Sequence, residues 1–305
     1  MVPSHEAPDP GLVRRMLATL VLVALVYVGA VLPVLLLAGV VWGVVAAAVA
    51  VTVMVFSVRG SDLLVLRAMG ARIVTRDEEP ELHAVLDRLC LSSGLPKPRL
   101  AVSSLDTPNA FAAGSGPDSA VVCVTEGLRA RLEPAELAAV LAHETAHIAN
   151  RDVLVGAIAA FPSLCGGLIL RWWTGLFTGR GRYGAGRAAA VAAGIVLLPV
   201  GVAAAVLYAV GTLVWLALSR HRELCADTTG ALLTGRPGDL ASALDKVSDG
   251  VRSASRDDLR ALRPVSTLCV VGRRGGVADL LSSHPPLERR RELLSALSWK
   301  FANGG

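Results

Sequence analysis

Two histidines and a glutamate lie close together in the segment Leu141–His147, inside a helical pattern that begins near Pro134. Residues at i and i+4 lie on one face of a helix, so His143 and His147 can reach one metal ion. Glu144 projects beside them and can hold a water on that ion without ligating it. Two satisfied core histidines are the alternative, but three polar groups in an apolar helix are expensive to bury without partners. The pattern predicts a metal site in which Glu144 is the catalytic acid and base.

A second pair of polar residues supplies a candidate for the third ligand, since a catalytic zinc commonly takes three protein ligands and a water. Glu223 and Asp227 are also an i, i+4 pair, and they follow the last apolar stretch of the chain. We predict that Glu223 ligates Zn²⁺ and that Asp227 accepts a hydrogen bond from a ligand imidazole, which fixes its tautomer. A solvated charged helix start is the alternative. The metal role is favoured because two intervening spans would return Glu223 to the side of the bilayer that holds His143 and His147.

The composition of the chain indicates how these residues are carried. The 305 residues are 53% hydrophobic and only 18% charged, with a mean hydropathy of +0.56. These values exclude a disordered chain and argue against an ordinary soluble enzyme, so they predict a membrane protein with a soluble part. The net charge of +5 comes without a basic run interleaved with aromatics, which favours lipid headgroups over nucleic acid as the anionic partner. Five scattered cysteines without a CxxC pair predict neither a thiolate site nor a disulfide framework, and reduced thiols fit a cytoplasmic soluble part.

Four transmembrane helices are predicted from three uncharged stretches. The stretch 16–58 would be about 64 Å long as a helix, roughly twice the hydrocarbon thickness, so it should fold back near Pro33 and Gly39 into spans 16–36 and 39–58. Arginines before and after this hairpin predict that both of its ends are cytoplasmic. The stretches 153–170 and 188–218 form a second pair, which either spans the bilayer or lies partly buried in protein.

The soluble segments combine helices with a small sheet. Amphipathic spacing predicts a helix over 79–93, and β-rich runs separated by turn residues predict strands over 99–104, 109–113 and 120–125. Further helices are predicted over 219–234, 239–251 and 286–297. The domain order is therefore a cytoplasmic tail (1–15), a transmembrane hairpin (16–58), the first part of a catalytic domain (59–151), a second hairpin (152–218) and the second part of the catalytic domain (219–305).

Several motifs together resemble the HtpX-type membrane zinc metalloproteases, which are gluzincins related to the CAAX prenyl endopeptidases. The matching segments are Pro108-Asn-Ala-Phe111, Val124-Thr-Glu-Gly-Leu128, Leu141-Ala-His-Glu-Thr-Ala-His147 with Asn150-Arg-Asp152, Ser219 through Asp227, and Ser283-His-Pro-Pro-Leu-Glu-Arg-Arg290. The resemblance covers residues 75–295. It implies a mainly α multi-pass cell-membrane protein with a cytoplasmic α+β gluzincin-type protease domain, one Zn²⁺ per chain and quality control of misfolded membrane proteins.

The same resemblance implies roles for residues outside the metal site. Asn109, Ala110 and Phe111 are expected to form an edge strand that binds polypeptide substrates in an extended conformation. His284 is expected to donate to the oxyanion, and Arg290 to bind a substrate carbonyl or the loop of His284. An ordinary edge strand and a surface turn followed by a basic helix are the alternatives.

Two other functions are compatible with these motifs. One is a dedicated signalling protease that cleaves a single regulator, and the other is a membrane scaffold or sensor without turnover. The set of His143, Glu144, His147 and Glu223 is intact, which argues against the scaffold. The sequence predicts no particular oligomeric state.

Overall fold

A computed structural model of the chain describes residues 39–59, 61–114, 116–178, 185–253 and 284–303, with scattered positions between 14 and 28. Within these residues the chain is mostly helical and forms a small mixed sheet. The helices are α1 (Val40–Arg59), α2 (Ser61–Ala68), α3 (Pro80–Ser93), α4 (Glu126–Arg129), α5 (Pro134–Ala149), α6 (Asp152–Thr178), α7 (Ala185–Val196), α8 (Leu198–Thr234), α9 (Pro237–Ser253) and α10 (Leu287–Ala302).

The sheet has four strands, β1 (Ala71–Ile73), β2 (Arg99–Ser103), β3 (Ala110–Ala113) and β4 (Val121–Thr125), in the order β1-β2-β4-β3. β2 and β4 are parallel, whereas β1 and β3 are antiparallel to their neighbours. The runs predicted over 99–104, 109–113 and 120–125 correspond to β2, β3 and β4. β1 was not predicted, because three residues are too few to show an alternating pattern.

The helix α5 is stabilised at its start by local chemistry. Pro134 occupies the first turn, where its missing N–H costs nothing. The carboxylate of Glu136 accepts a hydrogen bond from the backbone N–H of Glu133 at 2.8 Å and is also bound by Ser242 and Lys246 of α9. One side of α5 packs in the core with the sheet, α3, α9 and α10. The part of α5 that carries His143 and His147 is therefore held by contacts both at the start of the helix and along its side.

Two helices in the described part of the chain are long and apolar enough to cross a membrane, Leu154–Thr178 and Leu198–Thr234. The predicted spans differ from them in three ways. The first helix continues past residue 170 to Thr178, and the predicted single stretch 188–218 is divided between α7 and α8. The predicted helix 219–234 is not separate, because α8 runs on to Thr234. Pro199 explains the division, since proline fits the first turn of a helix but not its interior. Of the predicted first hairpin, α1 covers most of the span 39–58, while most of the span 16–36 and of the tail 1–15 lies outside the described residues.

The chain divides into two compact units, one formed by Met1–Met54 with Gly156–Leu218 and the other by Val55–Val155 with Ser219–Gly305. In the first unit, Gly166 lies so close to the backbone of Tyr208 that a Cβ would be 2.6 Å from its nitrogen, and the hydroxyls of Ser163 and Thr212 are 2.6 Å apart. The second unit contains the sheet and all candidate site residues. Its two segments, 55–155 and 219–305, are separated in the sequence by residues 156–218, which belong to the first unit.

Candidate metal centre and active site

α5 presents the two histidines from consecutive turns, as the i, i+4 spacing requires. His143 is 1% exposed, and its Nε2 atom lies 3.1 Å from the Nε2 atom of His147. Glu223, from the last turns of α8, has its Oε1 atom 3.5 Å from Nε2 of His147 and its Oε2 atom 3.8 Å from Nε2 of His143. Three ligand atoms from two distant segments thus face a common point.

The separations of these atoms fit a tetrahedral zinc ion. With Zn–N and Zn–O distances of about 2.0–2.1 Å, tetrahedral ligands lie about 3.3 Å apart. The observed separations of 3.1, 3.5 and 3.8 Å bracket this value. Among the described residues, His143, His147 and Glu223 form a group that could hold a metal ion, and two imidazoles with one glutamate are a donor set that catalytic zinc sites use.

Each imidazole is also held by a carboxylate at its other nitrogen. Nδ1 of His143 lies 3.0 Å from Oδ1 of Asp227, and Nδ1 of His147 lies 2.5 Å from Oδ2 of Asp152. A carboxylate in this position accepts a hydrogen bond from Nδ1–H, which keeps the proton on Nδ1 and leaves the Nε2 lone pair available for a metal. Asp227 was predicted to make such a contact, whereas Asp152 was missed. Its signal was only a position in the Asn150-Arg151-Asp152 motif.

Two arginines complete the ionic network of the site. Arg290 is 1% exposed, and its Nε and Nη2 atoms donate to Asp227 at 2.7 and 2.6 Å, while its Nη1 atom lies 3.4 Å from Glu223. Arg222 places its Nε atom 2.8 Å from Oδ1 of Asp152. The carboxylates of Asp152, Glu223 and Asp227 exceed the two guanidinium groups by one formal negative charge, and the neighbouring Glu144 adds a second when it is ionised. A divalent cation would neutralise this excess.

Glu144 occupies a closed position beside the two histidines. It is 4% exposed, and the backbone N–H of Ala112 in β3 donates a hydrogen bond to its carboxylate. Burial raises the pKa of Glu144 above its usual value, and the carboxylate of Glu223 adds to this effect, although His147 and His143 oppose it. A raised pKa suits a group that must both accept and return a proton near neutral pH.

Burial disfavours the charged form of His147, but carboxylates outweigh it. The hydrogen bond with Asp152 and the charges of Glu223 and Glu144 raise the pKa of His147 to about 9. The same carboxylates that favour a proton on this ring would favour a metal ion in its place.

His284 and Arg290 both come to the site from the C-terminal segment. Nδ1 of His284 lies 3.0 Å from Oε2 of Glu223, and the residue is 6% exposed. Arg290 contacts Asp227 and Glu223, so a role toward a substrate carbonyl stays a prediction. The sequence did not indicate that Arg290 pairs with Asp227, because the sequence contains several carboxylates that one guanidinium could bind.

The predicted docking segment lies at the edge of the sheet and is buried. Asn109 is 2% exposed, and Ala110 and Phe111 are at most 1% exposed. The carbonyl of Asn109 accepts a hydrogen bond from the N–H of Thr125. Because hydrogen-bonded pairs alternate in an antiparallel ladder, the peptide groups of Ala110 and Ala112 point away from β4. The bond from Ala112 to Glu144 follows from this alternation.

A helix that presents two imidazoles and a glutamate beside a third acidic ligand defines the site of a metallopeptidase. The chain belongs to Peptidase family M48, which it matches over residues 76–298. It is 42% identical over 302 residues to Protease HtpX homolog 1 of Streptomyces coelicolor, covering 97% of this chain and 95% of that protein. It is 40% identical over 296 residues to the Protease HtpX homolog of Moorella thermoacetica, covering 95% of each. The resemblance to HtpX-type proteases is confirmed, and the protein is a metalloprotease.

Among solved structures, the crystal structure of S. mikatae Ste24p aligns with 90% of this chain and 67% of its own, with a TM-score of 0.48 and 16% sequence identity.

Proposed function

We propose that the protein is a zinc-dependent endopeptidase of the cell membrane that cleaves misfolded or membrane-associated proteins at the cytoplasmic face. The observation that carries the zinc-dependent activity is the convergence of two Nε2 atoms and the carboxylate of Glu223, with each Nδ1 atom within 3.0 Å of an aspartate oxygen. His143, His147 and Glu223 would hold one Zn²⁺. Quality control as the role rests on the resemblance of the sequence motifs to HtpX-type proteases rather than on the geometry.

The residues around the ion divide the work of peptide hydrolysis. When bound, zinc supplies Lewis-acid chemistry, since it polarises a carbonyl and lowers the pKa of water. Glu144 takes the proton from the attacking water and returns it to the leaving amine. His284 donates to the developing oxyanion, a contribution of about 3–4 kcal/mol in other enzymes. Asp227 and Asp152 keep the imidazoles in the tautomer and orientation that the ion requires.

Substrates would bind in an extended conformation along β3. The peptide groups of Ala110 and Ala112 point away from β4, so they are the groups that an added strand would pair with. Ala112 already donates to Glu144, which leaves Ala110 as the free-edge donor next to the catalytic acid. Main-chain pairing would give broad sequence tolerance. Because β3 is buried, its edge must open before a polypeptide can bind.

The enzymatic proposal is tested by purifying the full chain in detergent, measuring bound metal and following casein cleavage. We expect one zinc per chain in the wild type, and zinc but no cleavage in Glu144→Gln. Glu126→Gln, which alters an exposed glutamate of α4, is the control and should cleave normally. A wild-type chain that binds zinc but cleaves nothing would favour a sensor, and cleavage by Glu144→Gln would remove the proposed acid and base.

The cytoplasmic orientation is tested by labelling with a membrane-impermeant maleimide. Asp118 is exposed in the second unit, so Asp118→Cys in a chain whose native cysteines are replaced by serine provides a single reactive thiol. We expect labelling in inside-out vesicles and none in intact right-side-out vesicles. The reverse pattern would contradict the proposed orientation.

A further inference from the structure

Asp152 is the first residue of α6 and is 3% exposed. Its two oxygens have different partners, since Oδ2 lies 2.5 Å from Nδ1 of His147 and Oδ1 lies 2.8 Å from Nε of Arg222. The side chain of Arg222 is 14% exposed, so solvent screens this ion pair only partly. Arg222 therefore acts on His147 through one buried carboxylate.

Arg222 directly precedes Glu223 on α8. Successive residues of a helix point about 100° apart, so one turn can direct the guanidinium to Asp152 and the carboxylate toward the histidines. The end of α8 thus supplies both a candidate metal ligand, Glu223, and the partner of Asp152. His147 and Asp152 lie before the apolar stretches 153–170 and 188–218, which separate them from Arg222 along the chain. The Arg222–Asp152 pair joins these two parts of the chain at the site.

The terminal torsion of an aspartate side chain is broad, so a buried Asp152 keeps one oxygen on His147 only if the other is held. On His143 the equivalent task is performed by Arg290, which binds both oxygens of Asp227. Arg222 contacts Asp152 as an ion pair through Nε, and it is suited to this role because its guanidinium stays charged when it is largely buried.

We propose that Arg222 is a positioning residue that holds Asp152 in the orientation in which it fixes the ring of His147 toward the metal. Both histidines of the centre would then be supported by an aspartate and an arginine. This inference rests on the proposed function, since it assumes that zinc binds at the three predicted ligands.

The test compares metal binding by full-length variants in detergent. The variants are Arg222→Met, Asp152→Ala and the double variant, and Arg129→Met is the control, because Arg129 forms a part-buried pair with Glu79 away from the site. Zinc affinity is measured by competition with a chromophoric chelator. The visible spectrum of the Co²⁺-loaded chain reports ligand geometry independently of proteolysis.

We expect Arg222→Met and Asp152→Ala each to weaken zinc affinity about 10–100-fold and to alter the cobalt spectrum, while Arg129→Met changes neither. The double variant should be no weaker than Asp152→Ala, because Arg222 acts through Asp152. Wild-type affinity and spectrum in Arg222→Met, or losses that multiply in the double variant, would overturn the inference.

Two further outcomes have defined meanings. If Arg222→Met does not fold, Arg222→Gln carries the test, since glutamine keeps a polar side chain but lacks the charge that pairs with Asp152. A weaker zinc affinity with an altered cobalt spectrum supports the inference, and wild-type values for both refute it. A wild-type chain that binds no zinc would refute the proposed function, and with it this inference, whereas normal wild-type binding with an unaffected Arg222→Met refutes only the inference.

Discussion

Loss of Arg290 should destabilise the protein far more than loss of its neighbour Arg291. The guanidinium of Arg290 makes two short hydrogen bonds to Asp227, and both residues are at most 1% exposed. Arg291 binds Asp245 at 2.5 Å, but the side chains are 48% and 34% exposed. Removing one partner of a buried ion pair costs about 3–5 kcal/mol, whereas an exposed pair contributes about 0–1 kcal/mol.

The expected magnitude for Arg290→Met is at the lower end of that range. His143 still contacts Asp227 in this variant, so the carboxylate keeps one partner. A loss of about 3 kcal/mol corresponds to a fall in Tm of about 6–12 °C for a domain of about 150–250 residues. Arg291→Met should lower Tm by about 4 °C at most.

The assay is thermal unfolding in detergent with excess chelator, so that loss of bound metal does not contribute. Adding Asp227→Asn to Arg290→Met should recover part of the lost stability, because no unpaired buried charge then remains. Equal shifts for Arg290→Met and Arg291→Met would refute the reasoning, as would a double variant less stable than Arg290→Met alone.

Three further predictions concern Glu136, His284 and Ala110, all in the second unit. Burial favours the neutral acid at Glu136, but hydrogen bonds from Lys246 and Ser242 lower its pKa. The stabilising contribution of Glu136 is therefore complete above about pH 4.5 and is lost as the pH falls through its folded-state pKa. Glu136→Gln should therefore lower Tm at pH 7 more than at acidic pH, and a pH-independent difference would contradict this. His284→Ala should reduce kcat about 100-fold or more at wild-type zinc content, whereas zinc loss in this variant would show that the residue acts on Glu223 instead. Ala110→Pro removes the edge donor of β3, so KM should rise without zinc loss, and unchanged kinetics would exclude docking at this edge.

The sequence predicted the elements of the site better than the contacts between them. The helix that carries His143 and His147 was recognisable because its turn residues, apolar spacing and polar pair all agree. Glu223 and Asp227 were recognisable because an i, i+4 pair of acids at the end of an apolar stretch is unusual. In both cases the informative distance is one helical turn, which a sequence records directly.

Of the two aspartates that contact the imidazoles, Asp227 was predictable from its helical spacing to Glu223, whereas Asp152 was not. Asp152 lies five residues beyond His147 but outside the helix α5, because Arg151 has a positive φ of 53° that ends the helical path. The pair of Arg222 with Asp152 joins residues separated by the whole apolar insertion, and no local rule specifies it. His83 shows the same limit, because its ring is buried with Nε2 3.1 Å from the carbonyl of Val74, a contact that helix spacing does not specify.

The positions of Asp152 and Glu223 on the long apolar helices restrict how this protease can be engineered for solution work. Asp152 is the first residue of α6, and Glu223 lies on the last turns of α8, which continues without a break from Leu198. Cutting out the segment between them would leave both residues on newly made, fraying chain ends. A water-soluble form therefore has to keep both helices at full length and change only their outer apolar side chains to polar ones.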